Sequence, residues 1–417
     1  MKRPPRIFGT APRGRDCPGL EPVEASPRLN WPKRVVFSVL PTVLVLGATE
    51  LGLRVANLPW MFCARTRACP GLGGAAGFMT QRSHNFSPEK GEPLFVYDPQ
   101  LFWWPRAHVQ GFFWRTPDVR TNALGLRERP LERSGRRNVL VVGDSVVWGV
   151  LVPSEERFSD KAAAELAKRA GIDGVQVINA GVVGYSSFQV LQLLKQRALR
   201  WFHPEVVVMC VGLNDCWLST MSDREQYARN MKLLPRIQRL LMRSDLFVFL
   251  HRYALEVIAW ARTGRNPSGL SFLFGQSPGA LRVLRNSLDE TEANIGEAGD
   301  LIEGAGGGVV IVLELARGPY PRNWNPESFR HVRTRLARFA RRRGWATIDV
   351  ATLTRYPHDF PLDRVLLDFC HLTPEASGIV GRWVGEAAAG LLRSSQDLLP
   401  EHSATSDRAG AGRQSHF

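Results

Sequence analysis

The sequence predicts a three-layer α/β/α sandwich on a mainly parallel, doubly wound sheet, preceded by one membrane-spanning helix. Three observations carry that reading. From residue 138 onward, short runs dense in Val, Ile and Leu alternate with helical stretches, and strands that are apolar throughout are those covered on both faces. A Gly-Asp-Ser turn follows the first of these runs and a Gly-Leu-Asn-Asp block the third; doubly wound sheets carry their sites at the carboxyl ends of strands. Residues 35–53 form a mainly apolar run whose only charge is Glu50, just long enough to cross a bilayer.

Residues 1–34 read as a basic, disordered tail. Lys2, Arg3, Arg6, Arg13, Arg15, Arg28, Lys33 and Arg34 face only Asp16, Glu21 and Glu24. That excess predicts a cytoplasmic N-terminus, a single-pass anchor at 35–53 and a periplasmic or otherwise extracytoplasmic remainder. Pro41 is compatible with a membrane helix. A cleaved signal peptide and a buried core helix are the competing readings; the long leader and the lack of an Ala-x-Ala site before Glu50–Arg54 favour a retained anchor.

Residues 54–136 form an aromatic-rich juxtamembrane extension with two clusters, Phe102-Trp103-Trp104 and Phe112-Phe113-Trp114. They are expected to pack against the main domain, with the membrane interface as the alternative. The domain itself is expected at 137–393. Its strands fall at 139–142, 175–178, 205–211, 309–313 and 346–350, and its helices at 159–170, 187–202, 224–242, 281–303, 326–343 and 374–392. This alternation is that of a flavodoxin-like sheet. Residues 394–417 lack apolar periodicity and read as a frayed tail. An insertion at 244–280 carries Phe247, Phe249, Trp260, Phe272 and Phe274, which read as core before lid or acyl pocket.

The chain has 417 residues, a formal net charge of +15 and a pI near 10.2. No basic run interleaves with a nucleic-acid motif, so no nucleic-acid partner is expected. The charge suits anionic lipid or acidic polysaccharide better. The cysteines show no CxxC pair or zinc-ligand spacing. Gly143-Asp144-Ser145 has neither GxGxxG nor a P-loop lysine. No metal or organic cofactor is expected.

Four short motifs occur in order: Gly143-Asp144-Ser145; Asn179-Ala-Gly-Val-Val-Gly184-Tyr-Ser; Gly212-Leu-Asn214-Asp215; and Asp368-Phe-Cys-His371. Together they supply a nucleophile, oxyanion donors and an acid–base pair, the requirements of acyl transfer. A serine hydroxyl is a weak nucleophile until a base takes its proton, and a carboxylate three residues from a histidine can fix that base locally. The plainer readings are a turn or cap serine and a capping pair ahead of the helix near Pro374.

Each motif is weak alone, but four in this order resemble the SGNH, or GDSL-type, serine hydrolase family over about residues 138–390. The membrane-anchored bacterial branch would extend the resemblance back to Asp98-Pro99 and Asn122-Ala-Leu-Gly-Leu-Arg127. The resemblance implies Ser145 as nucleophile, His371 as base and Asp368 as its orienting carboxylate. It implies an oxyanion hole of the Ser145 N–H, the Gly184 N–H and the Asn214 side chain. Gly181 is the other candidate glycine, and the spacing from Asn179 favours Gly184. Asp144 and Asp215 are expected to brace loops. Cys216 and Cys370 would sit at one rim of such a sheet, where a disulfide or two free thiols are both open; Cys63 and Cys69 could close a small loop in an oxidising compartment.

The expected activity is that of an ester hydrolase acting on an ester-bearing small molecule, glycan or lipid. An O-acyltransferase using the same residues on an envelope polysaccharide is the alternative. From a different class, a non-catalytic glycan-binding or scaffold protein could occupy the same fold.

Overall fold

A computed structural model describes residues 31–56, 86–88, 94–131, 136–169, 174–219, 221–232, isolated positions between 237 and 250, 283–355 and 358–397. The chain divides into two units, 1–52 and 53–417. Cys17, Cys63 and Cys69, the tail residues 1–30 and 398–417, and most of the 244–280 insertion lie outside the described residues.

Helix α1 (Trp31–Ala56) contains Pro41. Its segment Val36–Val55 is long and apolar enough to cross a membrane. Thr42 and Thr49 donate their hydroxyls back to the carbonyls of Ser38 (3.2 Å) and Val45 (2.8 Å), so these polar groups are satisfied within the helix, as an apolar surrounding requires.

In the larger unit, five parallel strands form the central sheet: β6 (Arg137–Gly143), β7 (Val175–Gly181), β8 (Val206–Cys210), β11 (Gly308–Leu313) and β12 (Ala346–Asp349). Their order is β12-β11-β8-β6-β7, which puts β6 inside the sheet. Successive side chains alternate between faces. On β6, Leu140 and Val142 enter one core with Val207, Met209 and Ile311. Val139 and Val141 enter the other with Val208, Val310 and Val312. Both faces are apolar because helices cover both, and this is why the strands read as unbroken Val/Ile/Leu runs.

Helix boundaries follow local capping. Asn325 accepts from the N–H groups of Glu327 and Ser328, with Pro326 opening the helix Pro326–Arg343 and Gly344 closing it at φ +69°. These are start and stop signals that leave few end groups unpaired. The helix expected from residue 281 instead begins at Leu288, behind a Ser287–Glu290 capping box. The residues before it form β10 (Val283–Leu284), paired antiparallel with β9 (Leu218–Ser219).

Hairpins in the extension were not foreseen. β2 (Phe95–Asp98) pairs with β3 (Phe102–Pro105). β4 (Gln110–Phe113) pairs with β5 (Thr116–Arg120) and with β1 (Phe86–Pro88). The aromatic clusters divide. Phe102, Trp103, Trp104 and Phe113 are buried in the core, whereas Phe112 and Trp114 are 43% and 44% exposed. Trp103 Nε1 donates to the Val183 carbonyl at 2.9 Å, and the Tyr185 hydroxyl donates to the Trp103 carbonyl at 2.7 Å. The extension therefore packs directly on the loop that follows β7.

Candidate active site

Ser145 opens a one-turn helix, α2 (Ser145–Trp148), at the carboxyl end of β6. The turn is tight: a Cβ on Gly143 would lie 2.3 Å from the Cys210 carbonyl oxygen, so only glycine lets the strand end against β8. Asp144 caps the helix, Oδ1 accepting from the Val146 N–H at 2.8 Å. Oδ2 of the same carboxylate accepts from Asn214 Nδ2, which joins the first and third motifs.

Behind the turn, Arg127 is 1% exposed. It donates to the carbonyls of Trp148 (3.1 Å), Gly149 (2.6 Å) and Val152 (2.9 Å). The residues leading to it form a built loop. Asn122 Oδ1 accepts from Leu124 N–H (2.9 Å) and Leu126 N–H (3.1 Å). Gly125 sits at φ +85°, where a Cβ would meet the Pro105 carbonyl oxygen at 2.1 Å.

Gly184 follows β7 at φ +78°, and its carbonyl accepts from Arg285 Nη1 at 2.6 Å. Neither the Ser145 nor the Gly184 N–H has an acceptor among the described residues. Asp215 braces the floor by accepting from the Ser187 N–H (3.0 Å) and the Thr291 hydroxyl (3.1 Å).

Asp368 and His371 are in direct contact, Oδ2 to Nδ1 at 2.7 Å. The other carboxylate oxygen accepts from the N–H groups of Cys370 and His371, each at 2.9 Å. Arg317 fixes the loop from outside, donating to the Asp368 carbonyl (3.0 Å) and the Leu366 carbonyl (2.9 Å). His371 Nε2 is buried and has no hydrogen-bond partner among the described residues. No hydrogen bond joins it to Ser145 Oγ among those residues, although Asp144, next to Ser145, lies within reach of the imidazole's charge.

The electrostatics follow from burial. Burial would raise the Asp368 carboxyl, but the hydrogen bond and charge of His371 and the two backbone N–H groups outweigh it and hold the group at about 2. Burial pushes Asp144 up to about 6, against the pull of the Val146 N–H and His371. Glu314, just past β11, is raised well above the ordinary carboxylate range by burial and the nearby Asp144 charge. Its Oε2 accepts from the Leu213 N–H at 3.0 Å.

The Asp368 shift sets a pH dependence. A carboxyl depressed in the folded state stabilises it above the unfolded pKa of about 4, and that stabilisation is lost as pH falls through about 2. Chemical-denaturation midpoints of the wild type should therefore fall between about pH 4 and 2. Asp368→Asn should flatten that slope, and an unchanged slope would place the acid-sensitive group elsewhere.

Of the two readings left open for Cys216 and Cys370, a disulfide or two free thiols, the structure has the second. They are turned to different partners: Cys216 Sγ toward the Gly212 carbonyl (3.5 Å) and Cys370 Sγ toward His371 Nδ1 (3.7 Å). Asp368, Cys370 and His371 offer ligand atoms within 4.8 Å of one another. However, burial raises the Cys370 thiol well above its usual range, which disfavours the thiolate a metal would need.

Glu314, Arg317, Arg285 and Trp114 were not anticipated from sequence. Only Glu314 had a usable signal, a charge ending an apolar run. The arginines reach the site from distant segments.

A parallel sheet with a strand–turn–helix serine on an inner strand and an Asp–His pair on a late loop defines an α/β/α hydrolase. The model of the GDSL-like lipase/acylhydrolase family matches residues 141–378, and the chain belongs to that family of ester hydrolases. It is similar to the lipase/acylhydrolase from Enterococcus faecalis, with 15% identity over 64% of this chain and 100% of that one, TM-score 0.38. A psychrotrophic esterase from Pseudoalteromonas sp. shows 12% identity over 62% of this chain and 99% of that one, TM-score 0.37. A GDSL-like lipase from Bacteroides thetaiotaomicron shows 13% identity over 62% and 92%, TM-score 0.37. At such scores these likenesses say nothing of substrate. No curated protein matches the chain.

Proposed function

We propose that the chain is a membrane-anchored, extracytoplasmic serine esterase or deacylase with Ser145, His371 and Asp368 as its triad. The observation that carries this reading is the His371 ring. Asp368 holds Nδ1 at 2.7 Å, while buried Nε2 is left without a protein partner among the described residues. A nitrogen so oriented is equipped to act as a general base.

In the reaction, Ser145 Oγ attacks the ester carbonyl carbon as its proton passes to His371 Nε2. Asp368 stabilises the resulting imidazolium. The Ser145 and Gly184 N–H groups and the second Asn214 amide hydrogen stabilise the oxyanion, the first being held by Asp144. Collapse breaks the C–O bond and His371 protonates the departing alcohol. Water, deprotonated by His371, then releases the acid and restores Ser145.

The apolar segment Val36–Val55 and the basic residues before it support the anchor and its orientation. The detergent-solubilised chain should hydrolyse 4-nitrophenyl esters, with a rate profile from acetyl to long-chain that reports the acyl preference. Alkaline extraction should leave the chain in the membrane pellet, and protease outside sealed cells should digest its larger unit. A chain released by alkali would remove the anchor from this reading; inertness on every ester would turn attention to acyl transfer onto sugars.

A further inference from the structure

The β4–β5 hairpin ends in a two-residue turn, Trp114-Arg115, whose φ angles are +43° and +62°. Positive φ at both central residues is the I′ geometry that matches strand twist, and Asn-Gly adopts it most readily. A bulky L-residue there is strained, and such strain persists where surroundings or function hold it. Burial does not explain the indole, since Trp114 is 44% exposed.

What the indole does meet is His371. The ring centroids are 6.1 Å apart, edge to face at 82°. Phe369 also approaches the imidazole, at 6.4 Å and 79°, and is itself packed on Trp217 and Trp324. The hairpin is tied down near the serine: Thr116 Oγ1 accepts from the Leu151 N–H at 2.9 Å, six residues past Ser145. This hairpin lies outside the family match at 141–378.

We infer that Trp114 is a substrate-binding residue. Its exposed indole forms a wall beside His371 against which a C–H-bearing apolar face of the ester packs, either a sugar ring or an acyl chain. Aromatic faces favour such partners. The inference rests on the catalytic reading of His371 and adds to it a specificity element supplied by the N-terminal hairpin.

The test uses the full chain with Trp114→Ala, Trp114→Phe and the pair Trp114→Asn with Arg115→Gly, which supplies the preferred turn residues. Trp114→Ala should raise KM about tenfold on the preferred ester with a smaller change in kcat, as loss of uniform binding does. Trp114→Phe should recover part of the loss. The Asn-Gly pair should keep or raise the thermal midpoint while showing the same KM defect, which separates binding from folding. A defect growing with acyl length on 4-nitrophenyl esters identifies a chain, and one confined to acetylated sugars identifies a ring. An unchanged KM in both Trp114→Ala and the Asn-Gly pair overturns the inference, as does a fall in kcat alone.

Binding of the same esters to Ser145→Ala, with and without Trp114→Ala, needs no turnover. Weaker binding without the indole in a protein whose wild type hydrolyses nothing would sink the esterase reading and keep this one. Equal binding would overturn the role of Trp114 whatever the activity.

Discussion

Ser145→Ala should lower ester hydrolysis by about 10⁴-fold or more, the usual cost of removing a catalytic serine. The thermal midpoint should barely move. Ser145 is 7% exposed, yet its hydroxyl holds no hydrogen bond among the described residues, so truncation leaves no buried polar partner stranded. The helix it opens is capped by the Asp144 side chain, which alanine at 145 leaves in place. Steady-state kinetics and a thermal melt on the same preparation decide the matter. Comparable turnover in mutant and wild type would mean that Ser145 is only a turn residue.

Arg127→Met should destabilise the larger unit by about 3 kcal/mol or more. It strands the buried carbonyls of Trp148 and Val152 and leaves that of Gly149 only the Val152 N–H at 3.4 Å, and each unsatisfied group costs roughly 1–3 kcal/mol. Part of that is offset because the charge is itself unfavourably placed: burial and the neighbouring Arg157 lower the Arg127 pKa to about 9. Two of the three carbonyls, of Trp148 and Gly149, belong to the helix that Ser145 opens and to its cap. Turnover should therefore fall along with stability. Arg127→Lys should recover little, since an ammonium cannot reproduce the guanidinium fork. Denaturant midpoints and kcat for both variants test this, and wild-type values for Arg127→Met would refute it.

Arg127 also shows how far a sequence can be read. The Asn122–Arg127 motif was visible as a string. Its work was not, because Gly125 is required by the Pro105 carbonyl and Arg127 is held by carbonyls more than twenty residues away. Hairpins β2–β3 and β4–β5 were missed for a related reason. Phe102 and Trp114 take positive φ at positions that carry no Gly or Asn-Gly turn signal, and the aromatic clusters show no clean alternation. The helix Pro326–Arg343, by contrast, was bounded correctly because its Asn, Pro and Gly signals are all local.

The sequence by itself determined the alternation of strands and helices, the apolar N-terminal helix and the motif order that marks the family. Each rests on interactions within a few residues, or on a strand's burial on both faces, and both leave a periodic trace. Tertiary structure alone decided what surrounds those motifs. It turned Cys216 and Cys370 to different partners, set Glu314 against Asp144, and brought Trp114 to His371. Such contacts join residues up to about 260 positions apart. Only packing fixes them, and packing between distant segments leaves no period in the chain.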